Sequence, residues 1–202
     1  MWKFVTSSLS EKTWHDTKGS IQLVFWGRSN VGKSSLLNSL TNQKIAFVSK
    51  TPGRTQLINF FKDNNDKYIV DLPGYGYAKM PKNQQENMLK SIKKFLEFNI
   101  NPKHLFLLID SRTSFTKIDL EVLAYIKYIN IHFSIVYTKI DKLNQKEKSQ
   151  LIKKHNQLLN EGLIDEDTET FIVSSEKNIN IDELATYMQA ILYPDQMEVI
   201  NE

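Results

Sequence analysis

Gly27-Arg28-Ser29-Asn30-Val31-Gly32-Lys33-Ser34 fits G-x-x-x-x-G-K-[ST], the spacing of a loop that cradles phosphate groups. The run Ile21-Gln22-Leu23-Val24-Phe25-Trp26 before it reads as a strand, and Ser35 to Thr41 after it as a helix. That context carries the reading, because such a loop works only when a strand delivers it to a helix N-terminus. There the unsatisfied backbone N–H groups and the helix dipole both favour negative charge. The candidate phosphate loop is therefore Gly27, Arg28, Ser29, Asn30, Val31, Gly32, Lys33, Ser34 and Ser35. Its amides face the α- and β-phosphates, Lys33 reaches the β- and γ-phosphates, and the Ser34 hydroxyl is a magnesium ligand.

Working outward, β-rich apolar segments alternate with amphipathic ones. Strands are expected at 21–26, 56–62, 67–71, 104–110, 132–137 and 170–174, and helices at 33–41, 83–98, 117–129, 144–159 and 180–192. Met88, Ile92, Phe95 and Leu96 repeat at three and four residues, as do Ile118, Val122, Tyr125, Ile126 and Ile129; such stripes are core faces. Strands alternating with helices predict an α/β fold, a six-stranded, mostly parallel sheet with helices on both faces. The pair 56–62 and 67–71, joined by Asp63-Asn64-Asn65-Asp66, reads as a hairpin and supplies one antiparallel edge strand. Residues 21–195 are the expected domain, with an N-terminal extension (1–20) packed on or flanking it and a C-terminal tail (196–202).

Composition narrows the classes. The chain has 202 residues, 41% of them hydrophobic, enough for one full core without staples. It has no cysteine, which excludes disulfides, zinc fingers and thiol chemistry. No apolar run reaches the ~18 residues of a membrane span, and the polar first 20 residues do not read as a signal peptide. A net charge of +3 is too mild to argue for nucleic acid by itself, and the four isolated histidines suggest no metal site.

A phosphate loop alone does not select the base. Asp71-Leu72-Pro73-Gly74 has the D-x-x-G form at a strand end. Its carboxylate holds magnesium, usually through water, and the Gly74 N–H meets the γ-phosphate, an approach only a residue without Cβ allows. Thr138-Lys139-Ile140-Asp141 has the [NT]-K-x-D form that reads guanine. The Asp141 carboxylate accepts from guanine N1–H and the exocyclic amine, a donor pair that adenine lacks, while the Lys139 stem lies along the base. In Ser174-Ser175-Glu176 the Ser175 N–H is placed to donate to guanine O6. All these motifs fall at carboxyl ends of successive strands, where open α/β sheets bind ligands. Between the first two motifs, Thr55 is the choice for completing the magnesium coordination, with Thr51 the alternative. Residues 49–56 would be a first switch and 74–81 a second, both held by the γ-phosphate.

Three segments together resemble the EngB (YihA/YsxC) family of GTP-binding proteins: 27–38, Thr51-Pro-Gly-Arg-Thr-Gln-Leu-Ile-Asn-Phe-Phe61 and Asp71-Leu-Pro-Gly-Tyr-Gly-Tyr-Ala-Lys79. Thr138 to Leu143 and the pair Asp110 and Arg112 agree. The resemblance spans roughly residues 20 to 193. It implies a Ras-like GTPase domain in the bacterial cytoplasm, or an organelle, and a role in maturing the large ribosomal subunit, associated with cell division and septation. The helix 83–98 lacks the tryptophan expected near its start, and 144–168 departs from the pattern.

Lys33, Thr55, Gly74 and Asn30 are the expected catalytic set, with Ser34, Thr55 and Asp71 the magnesium ligands. Tyr75 stands where Ras-type enzymes orient water with glutamine, so unaided hydrolysis should be slow; its role is hydrophobic or partner-facing. Asn30 stands where many GTPases carry glycine. In GTPases that resemble this one at the loop, such an asparagine ligates K⁺; the alternative is a bracing hydrogen bond. The expected partner is the large ribosomal subunit or its precursor, both rRNA and ribosomal proteins, with no DNA or membrane involved. Lys50, Arg54, Lys79 and Lys82, interleaved with Tyr75 and Tyr77, would form the RNA-facing surface. Lys90, Lys93 and Lys94 are candidate extensions of it. A monomer is expected. The alternatives are a guanine-nucleotide binder that has lost catalysis, or a self-sufficient enzyme, with a non-ribosomal partner.

Overall fold

Alternate residues of strand β2 (Gln22–Gly27) go to opposite faces: Val24 and Trp26 enter one core, Leu23 and Phe25 the other. All four are essentially fully buried, so this strand is covered on both sides, as its unbroken apolar run requires. The computed structural model describes residues 1–46, 56–76, 80–98 and 101–194. Within them one sheet runs β1 (Lys3–Ser8), β3 (Ile58–Lys62), β4 (Tyr68–Asp71), β2, β5 (Lys103–Asp110), β6 (His132–Thr138) and β7 (Thr170–Ile172).

Helices α2 (Lys82–Glu97), α3 (Lys117–Tyr128) and α4 (Gln145–Asn160) supply the core that holds Trp26, through residues such as Ile92, Ile126 and Leu151. Helices α1 (Lys33–Thr41) and α5 (Ile181–Leu192) cover the other face with Leu36, Leu37, Leu184 and Met188. Each such side chain contributes roughly 1.5–3 kcal/mol by leaving water. Helix α4 opens with a reciprocal cap: the Asn144 side chain accepts from Glu147 N–H (3.0 Å), and the Glu147 carboxylate accepts from Asn144 N–H (2.8 Å).

Every expected strand and helix is present, with ends shifted by at most two residues. The hairpin is too: β3 runs against β4, and Asp63 Oδ1 accepts from the N–H groups of Asn65 and Lys67 to close the turn. The strand count is the correction, seven among the described residues rather than six. Lys3–Ser8, read from sequence only as extension, pairs antiparallel with the outer side of β3, with an irregularity between Phe4 and Thr6. This strand is half-exposed and polar, so no apolar alternation announced it; its partner's free edge recruits it. The rest of the extension is anchored on α2, where Trp14 meets Phe95 and Phe98 edge-on and Glu11 pairs with Lys94. The tail 196–202 lies outside the described residues.

A candidate guanine-nucleotide site

Strand β2 lies between β4 and β5, both parallel to it, and its carboxyl end opens into the phosphate loop. Gly27 is required there because a Cβ would come within 2.7 Å of the Leu108 carbonyl oxygen. Asn30 takes a left-handed φ of 62° with its side chain exposed, and Gly32 takes φ 106° at the N-cap of α1. These two positions turn the chain so that the amides leading into α1 are presented together. Ser34 and Ser35 are half-buried on the first turn of α1, beside buried Lys33.

The Lys33 ammonium is hydrogen-bonded to Asp71, which also accepts from Asn59 Nδ2 at 3.2 Å. Asp71 is the last residue of β4, and its side chain is buried. Gly74 then lies directly on the phosphate loop: a Cβ on it would sit 3.0 Å from Ser29 N and 3.2 Å from Gly27 O. A side chain there would have to push the loop backbone back by a few tenths of an ångström. Ser34 Oγ and the Asp71 carboxylate are hard oxygen donors of the kind magnesium takes with phosphate oxygens. Among the described residues no three His, Cys, Asp or Glu side chains gather into a protein-only metal cage. The Ser34 hydroxyl and the Asp71 carboxylate are the two described donors that fit magnesium. Thr55 and Thr51 lie outside the described residues.

The T-K-x-D loop is fastened to the phosphate loop by two side chains. Thr138 Oγ1 donates to Val31 O (2.6 Å), and Lys139 Nζ donates to Asn30 O (2.5 Å) and Asp110 Oδ2 (2.9 Å). Burial alone would raise the Asp110 carboxyl, but hydrogen bonds from Arg112 and Lys139 hold it down at about 2. Asp141 follows in the turn Ile140–Lys142; its carboxylate accepts from Ser174 Oγ at 2.5 Å and lies 3.1 Å from Lys142 Nζ. Desolvation opposes ionisation there, yet those two partners bring its pKa below the usual carboxylate value. Lys142 also pairs with Glu176 (2.7 Å), closing the base loop on the Ser-Ser loop. Ser175 occupies the turn after Ser174, which is bridged to Ile179.

Thus all the site residues within the described portion converge on one end of the sheet: the carboxyl ends of β2, β4, β6 and β7. Asp119 and Thr113, which belong to none of the motifs, hold Arg28: Nε donates to Asp119 Oδ1 (3.2 Å) and a terminal nitrogen to Thr113 Oγ1 (2.5 Å). The T-x-x-D spacing of Thr116 and Asp119, a helix-start signature, was the available signal.

This arrangement matches known proteins in sequence and shape. The profile of a family described as 50S ribosome-binding GTPase matches residues 22–139. A probable GTP-binding protein EngB from Mycoplasmopsis agalactiae is 55% identical over 193 residues, covering 96% of this chain and 99% of the relative. The chain belongs to the EngB family of GTP-binding proteins. A second EngB relative, from Fusobacterium nucleatum, is 40% identical over 92% of this chain and 94% of its own. Among solved structures, a probable GTP-binding protein EngB is 26% identical with a TM-score of 0.63, matching 85% of this chain and 98% of that one. Aquifex aeolicus Era bound to GDP and aluminium fluoride is 27% identical with a TM-score of 0.67, over 86% of this chain and 57% of that one. The Ras-like P-loop GTPase fold is thereby established.

Of the two roles expected for Tyr75, the structure gives the hydrophobic one: it is only 2% exposed and lies in the core, so its place in the RNA-facing surface is corrected. It meets Trp26 edge-on at 5.3 Å, and its hydroxyl donates to Asp119 Oδ1 at 2.8 Å. Burial first, and then the adjacent Asp119, push its phenol far above the usual tyrosine pKa.

Proposed function

We propose that this chain hydrolyses GTP slowly and serves as a nucleotide-dependent switch in assembly of the large ribosomal subunit, in the cytoplasm. The supporting observation is the fastening of the guanine-reading loop onto the phosphate loop through Thr138 and Lys139. Base and phosphates are then gripped by one rigid unit, in a family whose profile carries the ribosomal description. The association with cell division and septation belongs to the same proposal.

In this mechanism Lys33 leaves Asp71 for the β- and γ-phosphates, and the loop amides take up charge developing as water attacks the γ-phosphorus in line. The products are GDP and phosphate. Bound magnesium, held through Ser34, Asp71 and Thr55, would neutralise phosphate charge. The exposed Asn30 side chain is free to reach toward the phosphates, and we assign it as the K⁺ ligand; faster turnover in K⁺ than in Na⁺ is the expected sign. A buried phenol at position 75 cannot orient water, which is why the intrinsic rate is low. That same burial favours a second reading, a binding module without turnover, which hydrolysis absent in both salts would establish.

The partner surface is proposed around Lys50, Arg54, Tyr77, Lys79 and Lys82. All but Lys82 lie outside the described residues; Lys82 opens α2, and Lys90 and Lys93 are exposed along it. Co-sedimentation with purified large subunits tests the proposal. Pelleting with a non-hydrolysable GTP analogue but not with GDP is expected. Failure to pellet in either form, with guanine binding intact, would remove the ribosomal partner.

A further inference from the structure

We infer that Asp119 is a positioning residue for Gly74: its carboxylate holds the Tyr75 phenol and the Arg28 guanidinium together, which keeps Gly74 against the phosphate loop. The inference rests on the guanine-nucleotide reading above and concerns how that site distinguishes tri- from diphosphate. Asp119 lies in the first turn of α3 and is completely buried. Four donors meet it. Tyr75 hydroxyl (2.8 Å) and Arg28 Nε (3.2 Å) donate to Oδ1, while Thr116 N–H (2.8 Å) and hydroxyl (2.6 Å) donate to Oδ2. A buried carboxylate without such partners would be strongly disfavoured, so this one fixes the relative placement of three segments.

What it fixes is the D-x-x-G backbone. Tyr75 N–H donates to Gly27 O (3.3 Å), and Ser29 N–H donates to Tyr75 O (2.9 Å), so residue 75 continues the β2–β4 pairing into the phosphate loop. Gly74 is thereby held in contact with Ser29, next to where the γ-phosphate of a nucleotide on Lys33 would lie. Anchoring the neighbouring side chain places the Gly74 N–H before the nucleotide arrives and so lowers the ordering cost of triphosphate binding. GDP has no γ-phosphate and gains nothing from this placement. Tyr75 thus occupies the glutamine position as an anchor, not as a water-orienting group.

Dissociation constants for GDP and for a non-hydrolysable GTP analogue, measured for the wild type, Tyr75→Phe and Asp119→Asn, test this. Tyr75→Phe removes only the anchored hydroxyl and retains the ring against Trp26. Asp119→Asn retains an oxygen for Thr116 but loses the charge. The expected result is a fall of ~5-fold in analogue affinity relative to GDP in both variants. A purely structural loss would weaken both nucleotides alike, so the ratio is the diagnostic quantity. A ratio within about twofold of wild type, or one that rises, overturns the inference. Should Asp119→Asn not fold, Tyr75→Phe decides alone. A wild type that binds neither nucleotide refutes the guanine reading itself, whereas tight wild-type binding with an unmoved ratio refutes only the role of Asp119.

Discussion

At the scale of one residue, Asp141 is the proposed reader of the base. Its acceptor oxygens are oriented by Ser174 and Lys142 and ionised by them despite desolvation. Asp141→Asn places an amide donor toward guanine N1–H, and a buried mismatch of this kind should weaken GDP binding by ~100-fold or more. Equilibrium titration with a fluorescent GDP derivative measures it, and a loss below about tenfold would dismiss Asp141 as the reader of the base. Lys33, Gly74, Thr138 and Lys139 stood out in the sequence because phosphate and guanine chemistry would restrict the residue type at fixed spacing, and the structure brings all four to one end of the sheet. Asp119 did not stand out, since nothing in a T-x-x-D at a helix start tells which side chains from 44 and 91 residues away will arrive on it.

Among elements, β1 is the one that local pattern did not reveal. It contributes a paired edge and the Phe4 ring, which meets Phe61 edge-on at 5.8 Å. Deleting residues 1–8 should leave the antiparallel β3 as an open edge carrying uncovered Phe61, a template for aggregation. Calorimetry should show a melting temperature lower by roughly 5–10 °C, about 2–3 kcal/mol for a chain of this size. Light scattering should show larger species. An unchanged melting temperature with a monodisperse sample would mean that β1 only decorates the sheet. The five helices and the other six strands were readable for the opposite reason: their apolar periodicity is dictated by burial on one or both faces.

For the whole molecule, acid stability follows from how the fold covers the His104 and His155 imidazoles. His104 is enclosed between Phe106 and Tyr187 and hydrogen-bonded to Ser134 (2.8 Å). Burial, and secondarily His132, pull its pKa down to about 4. The folded protein therefore favours neutral His104. That stabilisation is complete above the unfolded value of roughly 6.5 and is lost as pH falls towards 4, worth no more than about 3 kcal/mol. His155, lowered by burial against Tyr137, acts in the same direction. Urea unfolding should show stability declining over this window, and His104→Gln should flatten the decline; an unaltered profile would exclude His104 as its source. What the amino-acid order determined by itself was the strand–loop–helix proposed to bind phosphate, the tetrad Thr138–Asp141 proposed to read guanine and the alternation of elements, all local consequences of periodicity and fixed motif spacing. Only the tertiary structure decided the seventh strand, the joining of Thr138 and Lys139 to the phosphate loop, and the burial of Tyr75 on Asp119. Those depend on contacts between distant segments, whose partners are chosen by the packing of the sheet and not by neighbours along the chain.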